Sequence, residues 1–542
     1  MKKIKRLDHH GLVAGAIDEL GLVEKIDQAI PKTKRHNVSV GEAVKAMILI
    51  GLGYTDRPLY LVAETMKTMS VEKLFTPEIK PEDFTDDVLG RSLDKIYEAD
   101  PTGLFIKLVN QMKPAITRGE RQRLHFDTTT FSVYGDYDRA LSPRLQEELA
   151  NENTGIITIE HGYPKNKRFD LKQFILSLCV NQEGLPLLME SASGSQSDKK
   201  TIVETMTKLR DNISLEKDPL YIADSAFYTK KNVEAMGRDN KFLTRAPGTL
   251  KVIKTLEKGE HTFEQSPNPN YRYCEKDGKY ATIPVKYIVV HSKELQETKE
   301  KSIERRLKKE KEKAAKSFKK VCQQTYYCEA DAIEQLRKWE KDNKLFRATD
   351  IVCTPQTVKK TPKRGRPSKT EDTRTVYHIE ATLAYDPEAV KQYTHNLGRF
   401  VLVTNDTDMS AEEALTQYKE QSRVERGFRF LKDNTFRISQ IKIKKTERIQ
   451  ALLMVMVLTL LIYNYLEREL RHRIKAKNET VENHVKKRIT NPTMKMVIFQ
   501  FNGIHTIRIP ADKETEVQVE DLNQKQNHIL SILGEVYQRI YA

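Results

Sequence analysis

Glu425 stands at the centre of Tyr418–Lys432, Y-K-E-Q-S-R-V-E-R-G-F-R-F-L-K, with cations on both sides. At about 100° per residue, Tyr418, Gln421, Glu425 and Lys432 fall within roughly 60° of one another on one helix. Val424, Phe428 and Leu431 form a separate apolar stripe about 90° away. The spacing therefore predicts a single helix with Glu425 at the edge of its buried face, beside a cleft. A tyrosine and a lysine two turns either side could grip a phosphate next to a metal-binding carboxylate. An ordinary charged surface helix has the same pattern, so the distinction rests on two further carboxylates.

Asp127 lies in a stretch where Leu124 and Phe126 alternate with His125, Asp127 and Thr129, the period of a half-buried strand. Asp224 ends the apolar run Leu220-Tyr221-Ile222-Ala223. Either aspartate could merely end a strand and cap a turn. Three carboxylates brought together, however, repel one another unless divalent cations lie between them. Oxygen-only ligation completed by water suits Mg²⁺, with Mn²⁺ able to replace it. Two such ions could support in-line attack on a phosphodiester.

The elements that would position these groups follow from periodicity. From about Arg121 the pattern reads β-β-β-α-β-α-β. Strands are expected through His125, over Phe174–Val180, over Leu185–Met189, over Leu220–Ala223 and over Phe242–Arg245. With that order the first and fourth strands lie side by side, which joins Asp127 to Asp224. Residues 1–115 read as wholly helical: Ser39-Val40-Gly41-Glu42 is a capping box, and Thr85-Asp86-Asp87 opens a helix carrying Leu89, Leu93 and Ile96. The domains expected are 1–115, helical; 116–246, the first part of the core; 247–396, an insertion with a helical hairpin; 397–490, the second part of the core with the Glu425 helix; and 491–542, a C-terminal segment. Trp339, the only tryptophan, shares a helix side with Leu336 and Ala332 and is expected in a core.

The net charge of +16 favours polyanionic partners, nucleic acid first. Lys359–Lys369 reads as a basic linker, and its Arg364-Gly365-Arg366-Pro367 could lay two arginines in the minor groove of A·T-rich DNA. The five cysteines are scattered, with neither C-x-x-C pairs nor zinc spacing, as in a reduced cytosolic protein. The basic start is followed by Leu7-Asp8-His9-His10-Gly11, which lacks the apolar core of an export signal. Ala451–Ile462 is apolar but short for a bilayer, and a buried helix is expected there.

The chain resembles insertion-sequence transposases of the DDE superfamily, in the branch with a Tyr-x2-Arg-x3-Glu-x6-Lys signature. In that register stand Tyr418, Gln421, Glu425 and Lys432, with glutamine in place of the arginine. Arg429, about 40° from Glu425 on the helix, is the expected substitute phosphate ligand. Phe126-Asp127-Thr128-Thr129 and Ile222-Ala223-Asp224-Ser225-Ala226-Phe227-Tyr228 look like the contexts of that family's two aspartates. Gly162–Gln173 is similar to a G-Y-S-K-x-x-R-x-D-L-x-Q block, and Gly194–Asp198 to G-N-x-x-D with Ser195 for asparagine. Phe400–Asn405 and Asp87–Asp94 also resemble blocks of that branch. The resemblance implies an α/β fold with an RNase H-like mixed sheet, a large insertion and a helical N-terminal DNA-binding domain. It further implies Mg²⁺ dependence and cut-and-paste transposition, with a homodimer acting on terminal inverted repeats and target DNA through hairpinned ends. The setting would be the bacterial cytoplasm and nucleoid, away from any membrane. Alternatives are an RNase H-like nuclease that joins nothing, a non-catalytic DNA-binding protein using Arg364 and Arg366, and a metallophosphatase built on His125-Phe126-Asp127.

Overall fold

The computed structural model describes residues 4–32, 37–53, 62–117, 121–135, 137, 157–164, 167–196, 198–213, 218–237, 239–359, 373–394, 396–432, 445–510 and 515–542. The chain divides into two units. Met1–Thr244, Lys279–Val285 and Thr404–Ala542 form the first; Arg245–Gly278 and Lys286–Val403 form the second.

The first unit opens with a short strand, β1 (Ile4–Arg6), so its N-terminal part is not wholly helical. Helix α1 (His10–Glu19) buries residues 10–17, and α2 (Val40–Gly51) is buried on nearly every side. Ser39 and Glu42 close the expected capping box on α2: Ser39 Oγ accepts from Glu42 N at 3.1 Å, and Glu42 Oε2 accepts from Ser39 N at 2.6 Å. Thr85 caps α3 (Asp86–Glu98), and α4 (Pro101–Ile116) follows. His9 and His10 are buried and stacked, with centroids 4.6 Å apart. His9 Nε2 bonds the Leu52 carbonyl at 2.7 Å.

Burial holds both imidazoles below the ordinary histidine range. They stay neutral in the fold, while the unfolded chain takes up protons below about pH 6.5. Stability is therefore full above that pH and falls as the pH drops, by up to about 1.4 kcal/mol per pH unit for each ring. Thermal melts from about pH 8 to about pH 5 should show this decline, flattened in a His9→Gln, His10→Gln double variant. An unchanged slope would place the acid sensitivity elsewhere.

The core sheet of this unit contains β2 (Arg123–Val133), β3 (Lys172–Val180), β4 (Pro186–Ser193), β5 (Leu220–Ala223) and β6 (Lys241–Arg245) in the order β4-β3-β2-β5-β6. β2, β3 and β4 are antiparallel neighbours; β2, β5 and β6 run parallel. This mixed order is the RNase H-like arrangement. A parallel pair needs a crossover, and α5 (Asp198–Asn212) provides one between β4 and β5. It lies on the sheet face of Ser177, to whose Oγ Thr205 Oγ1 donates at 2.9 Å. Helix α6 (Lys230–Met236) joins β5 to β6.

Segments before β3 and after β4 lock the end at which β3 begins and β4 finishes. Glu160 and Gln173 exchange backbone bonds of 3.2 and 2.9 Å, Gln173 Nε2 donates to the Gly194 carbonyl at 2.7 Å, and Ser195 Oγ donates to Glu160 Oε1 at 2.6 Å. The Gly162–Gln173 and Gly194–Ser195 motifs thus act on each other.

The second unit contains β7 (Glu264–Gln265), β8 (Tyr271–Tyr280), β9 (Ile283–Ser292) and, later, β12 (Arg399–Thr404), ordered β12-β9-β8-β7. Between them run α7 (Lys293–Gln323), α8 (Glu329–Asp342) and a long antiparallel ribbon, β10 (Phe346–Lys359) with β11 (Thr373–Tyr385). The helices do not simply form a hairpin; they pack on one face of the ribbon. Ala314, Phe318, Ala332, Leu336, Trp339, Phe346 and Ile379 form their shared core. Trp339 is a core residue, edge-on to Phe318 at 4.9 Å with its indole N–H donating to Ser317 Oγ at 2.9 Å. Arg364 and Arg366 lie outside the described residues.

The first unit resumes with α9 (Ala411–Lys419), α10 (Ser422–Leu431) and α11 (Thr446–Ala476). α11 is long and apolar enough to cross a membrane, yet 89% of its most apolar window is buried within the fold. It packs against α1, α2, α3, α4 and α10, and its Arg448 makes a two-pronged ion pair with Asp94 of α3, both bonds 2.7 Å. The helical N-terminal region is thereby bonded to the core. The C-terminal segment closes back on the start of the chain. β13 (His505–Pro510) pairs with β1 and with β14 (Thr515–Val519), and α12 (Gln524–Leu533) leads to α13 (Glu535–Tyr541). From α13, Tyr537 Oη donates to Glu19 at 2.7 Å and Tyr541 Oη to the Asp8 carbonyl at 2.5 Å.

Candidate active site

Alternation along β2 sends His125, Asp127, Thr129 and Phe131 to one face of the sheet. Asp127 is half-buried in a strand that is otherwise mostly sealed, and its Oδ1 accepts from Thr128 N at 2.7 Å. β5 pairs with β2 through Phe126↔Ala223 and then stops. Asp127 and Asp224 are therefore the next residues on neighbouring parallel strands, as the strand order required. Asp224 turns the chain away: its Oδ1 accepts from Ala226 N at 3.0 Å, and its carbonyl accepts from Thr244 Oγ1 at 2.8 Å. Because β2 continues where β5 ends, a step opens at the carboxyl ends of the parallel strands, where open α/β sheets bind ligands.

Helix α10 is pinned across the Asp127 face at two points. At its start, Gln421 Nε2 donates to the Phe126 carbonyl at 2.7 Å, and Gln421 Oε1 lies 3.2 Å from His125 Nδ1. At its end, Lys432 Nζ donates to Thr129 Oγ1 and lies 5.4 Å from the centre of the Phe131 ring. On the strand Asp127 lies between these anchors, and on the helix Glu425 lies between them. Val424, Phe428 and Leu431 are buried beneath, as their stripe predicted. Gly427 makes the close approach possible: a Cβ there would stand 3.1 Å from Leu460 and 3.7 Å from Leu178, the β3 residue paired with Asp127. Glu425 and Arg429 are exposed.

Two expectations need correction. Tyr418–Lys432 is not one helix. Bonds from Gln421 N to Tyr418 O (3.0 Å), Arg423 N to Glu420 O (2.8 Å) and Val424 N to Gln421 O (3.2 Å) tighten the chain between α9 and α10. These three-residue spans carry about 120° per residue rather than 100°, so the helical wheel does not extend back to Tyr418. That tyrosine is half-buried on the last turn of α9. Gln421, expected at the DNA, is only 6% exposed, with its amide committed to His125 and Phe126. Its role is to hold the Glu425 helix on the strand.

His125, passed over in the sequence as a strand neighbour, is the other half of that anchor. Burial pushes its pKa down to about 4, so the ring is neutral and its Nδ1–H donates to Gln421. Fully buried, it cannot serve as a phosphatase group. Gln421→Leu preserves size but leaves the Phe126 carbonyl and His125 Nδ1 unpaired. The expected cost is about 1–3 kcal/mol, seen as a lower urea midpoint and faster proteolysis within residues 411–432. Wild-type behaviour in both would reject the anchor.

The donor set at this step is oxygen only, which fits Mg²⁺ or Mn²⁺. Among the described residues, no three His, Cys, Asp or Glu side chains gather around one point.

Residues 119–464, more than half of the chain, match the family model described as the transposase DDE domain. Residues 2–110 match a domain of unknown function, DUF4277. No curated protein matches the chain.

Proposed function

This chain belongs to the DDE-domain transposase family, and on that premise we propose that it cuts DNA at the ends of an insertion sequence and joins those ends to target DNA. The observation that carries the proposal is the placement of Asp127, within β2, beside Asp224, the residue that follows β5, with the α10 segment that bears Glu425 anchored to β2 on either side of Asp127.

In this reading Asp127, Asp224 and Glu425 would hold two divalent cations, Asp127 contributing to both. Ions held there would supply positive charge to the attacked phosphate and to the attacking and leaving oxygens. The protein's own groups orient the DNA. Arg429, exposed one turn from Glu425, would contact a neighbouring phosphate. Lys432, one strand step beyond Asp127, brings a point charge to the same face. Tyr418, on the preceding helix, would act through its hydroxyl. Gln421 and His125 contribute rigidity, fixing Glu425 relative to Asp127 before DNA arrives.

End recognition is assigned to the region before residue 115. Because α1 and α2 are sealed in the unit, the reading surface falls to other elements there. A homodimer would hold the two ends together, as the family implies.

The test uses purified protein, Mg²⁺ and duplexes carrying the DNA that flanks its own gene, with nicks and joined products mapped on sequencing gels. Cleavage followed by joining is expected. Cleavage without joined products would reduce the protein to a nuclease, and neither product would reject the proposal.

A further inference from the structure

The second unit carries a charge pattern that the catalytic reading does not use. Helix α7 is 31 residues long and packs through one stripe only, in which Ala314 and Phe318 are buried and Ile303, Leu307 and Val321 are half-buried. Its two halves differ in charge. Up to Glu304 the signs balance, with Lys293, Lys299 and Lys301 against Glu294, Glu297, Glu300 and Glu304.

Beyond that point the face opposite the packed stripe becomes almost purely cationic. At about 100° per residue, Arg305, Lys308, Lys309, Lys313, Lys316, Lys319 and Lys320 fall within a sector of roughly 140°. All seven are exposed, and Glu312 is the one carboxylate among them. Within the described residues none of the seven forms an ion pair, whereas the flanking Arg306 pairs with Glu310 at 2.8 Å and Lys311 covers the Tyr385 ring at 5.0 Å. The flanking cations are used in packing; the ridge is not.

A solvated helix face ordinarily mixes signs, as the first half of α7 does. Seven like charges side by side repel, so the ridge is under electrostatic strain that a polyanion would relieve. It spans about 22 Å. One strand of duplex DNA presents roughly six or seven phosphates over that length, which matches the seven cations. Six are lysines, suited as point charges to phosphates rather than to planar, base-specific bonding.

We propose that the Arg305–Lys320 ridge of α7 is a second DNA-binding surface, lying along the phosphate backbone of duplex DNA without sequence preference. It rests on the transposase reading only for the identity of the polyanion, and it requires no catalysis.

The test is equilibrium binding of the full-length protein to a duplex of unrelated sequence, in EDTA so that nothing is cut, across a salt series. The variant carries Lys309→Gln, Lys313→Gln, Lys316→Gln and Lys320→Gln, because glutamine preserves helix propensity; circular dichroism confirms the helix. Its slope of log affinity against log salt should shrink by about 3 to 4, with affinity roughly tenfold or more weaker near 0.1 M salt. Lys299→Gln with Lys301→Gln, in the balanced half, should change neither quantity. An unchanged slope in the quadruple variant overturns the proposal, as does equal weakening by the control pair. Competition by polyglutamate as effective as that by duplex DNA would overturn it too, by assigning the ridge to an acidic protein. An Asp127→Ala protein with a normal slope but no cleavage bears on the catalytic centre alone, so the two readings fail separately.

Discussion

Alanine at any one of Asp127, Asp224 or Glu425 is expected to abolish Mg²⁺-dependent cleavage, by a factor on the order of a thousand or more, while DNA binding stays close to intact. The asymmetry has a physical cause. Each carboxylate is proposed to act only through a cation, and with none bound it repels phosphate. In EDTA the variants should therefore bind DNA as well as the parent or slightly better. None of the three substitutions removes an apolar core group, so folding should persist: Glu425 is exposed and Asp127 and Asp224 are half-buried. The measurement pairs end cleavage with affinity in EDTA, using circular dichroism as the folding control. Mg²⁺-dependent cleavage retained by Asp224→Ala would remove that residue from the centre, and binding lost with cleavage would recast the residue as structural.

Gly194→Ala is expected to destabilise the first unit by about 3 kcal/mol, the upper part of the range for overpacking. A Cβ at Gly194 would run into the backbone oxygens of Gln173 and Glu160, and one at Gly162 would run into the Gly194 carbonyl and the Gln173 amide. Backbone atoms of paired segments cannot swing aside as a flexible side chain can. Gln173 also lies one pair from the end of the β2–β3 ladder, opposite Ser132, so displacement there disturbs the strand beside β2. Urea denaturation should show a lower midpoint for Gly194→Ala and Gly162→Ala, while Gly237→Ala, with no atom within 4 Å of its Cβ position, loses less. Gly237 carries its own strain from φ +69°, which makes it a demanding control. Equal loss at all three positions would mean that the packing of the two motif glycines adds nothing.

The sheet was legible because its buried strands are apolar and its exposed positions alternate. β2 shows both features, and the β-β-β-α-β order alone made Asp127 and Asp224 neighbours. The Val424, Phe428 and Leu431 stripe located the face of α10 for the same reason. The break before α10 was not legible, because Glu420 and Gln421 keep right-handed helical dihedrals and only the hydrogen-bond span changes. Nor was the burial of Gln421: a glutamine in a charged helix reads as solvated until its partner, 296 positions away, is known. The β10–β11 ribbon escaped because α7 and α8 cover only one face, and exposed Thr354, Gln356, Thr357 and Thr382 replace apolar alternation. The pairing of β1 with β13 joins opposite ends of the chain and has no local signature.

In the function proposed above, Asp127 would be shared between two cations, with Asp224 and Glu425 each completing one. Counting bound Mn²⁺ by electron paramagnetic resonance, on protein complexed with pre-cut end DNA, tests it most directly. Two ions per centre are predicted for the parent, one each for Asp224→Asn and Glu425→Gln, and none held tightly by Asp127→Asn. Undiminished Mn²⁺ binding by Asp127→Asn would contradict it.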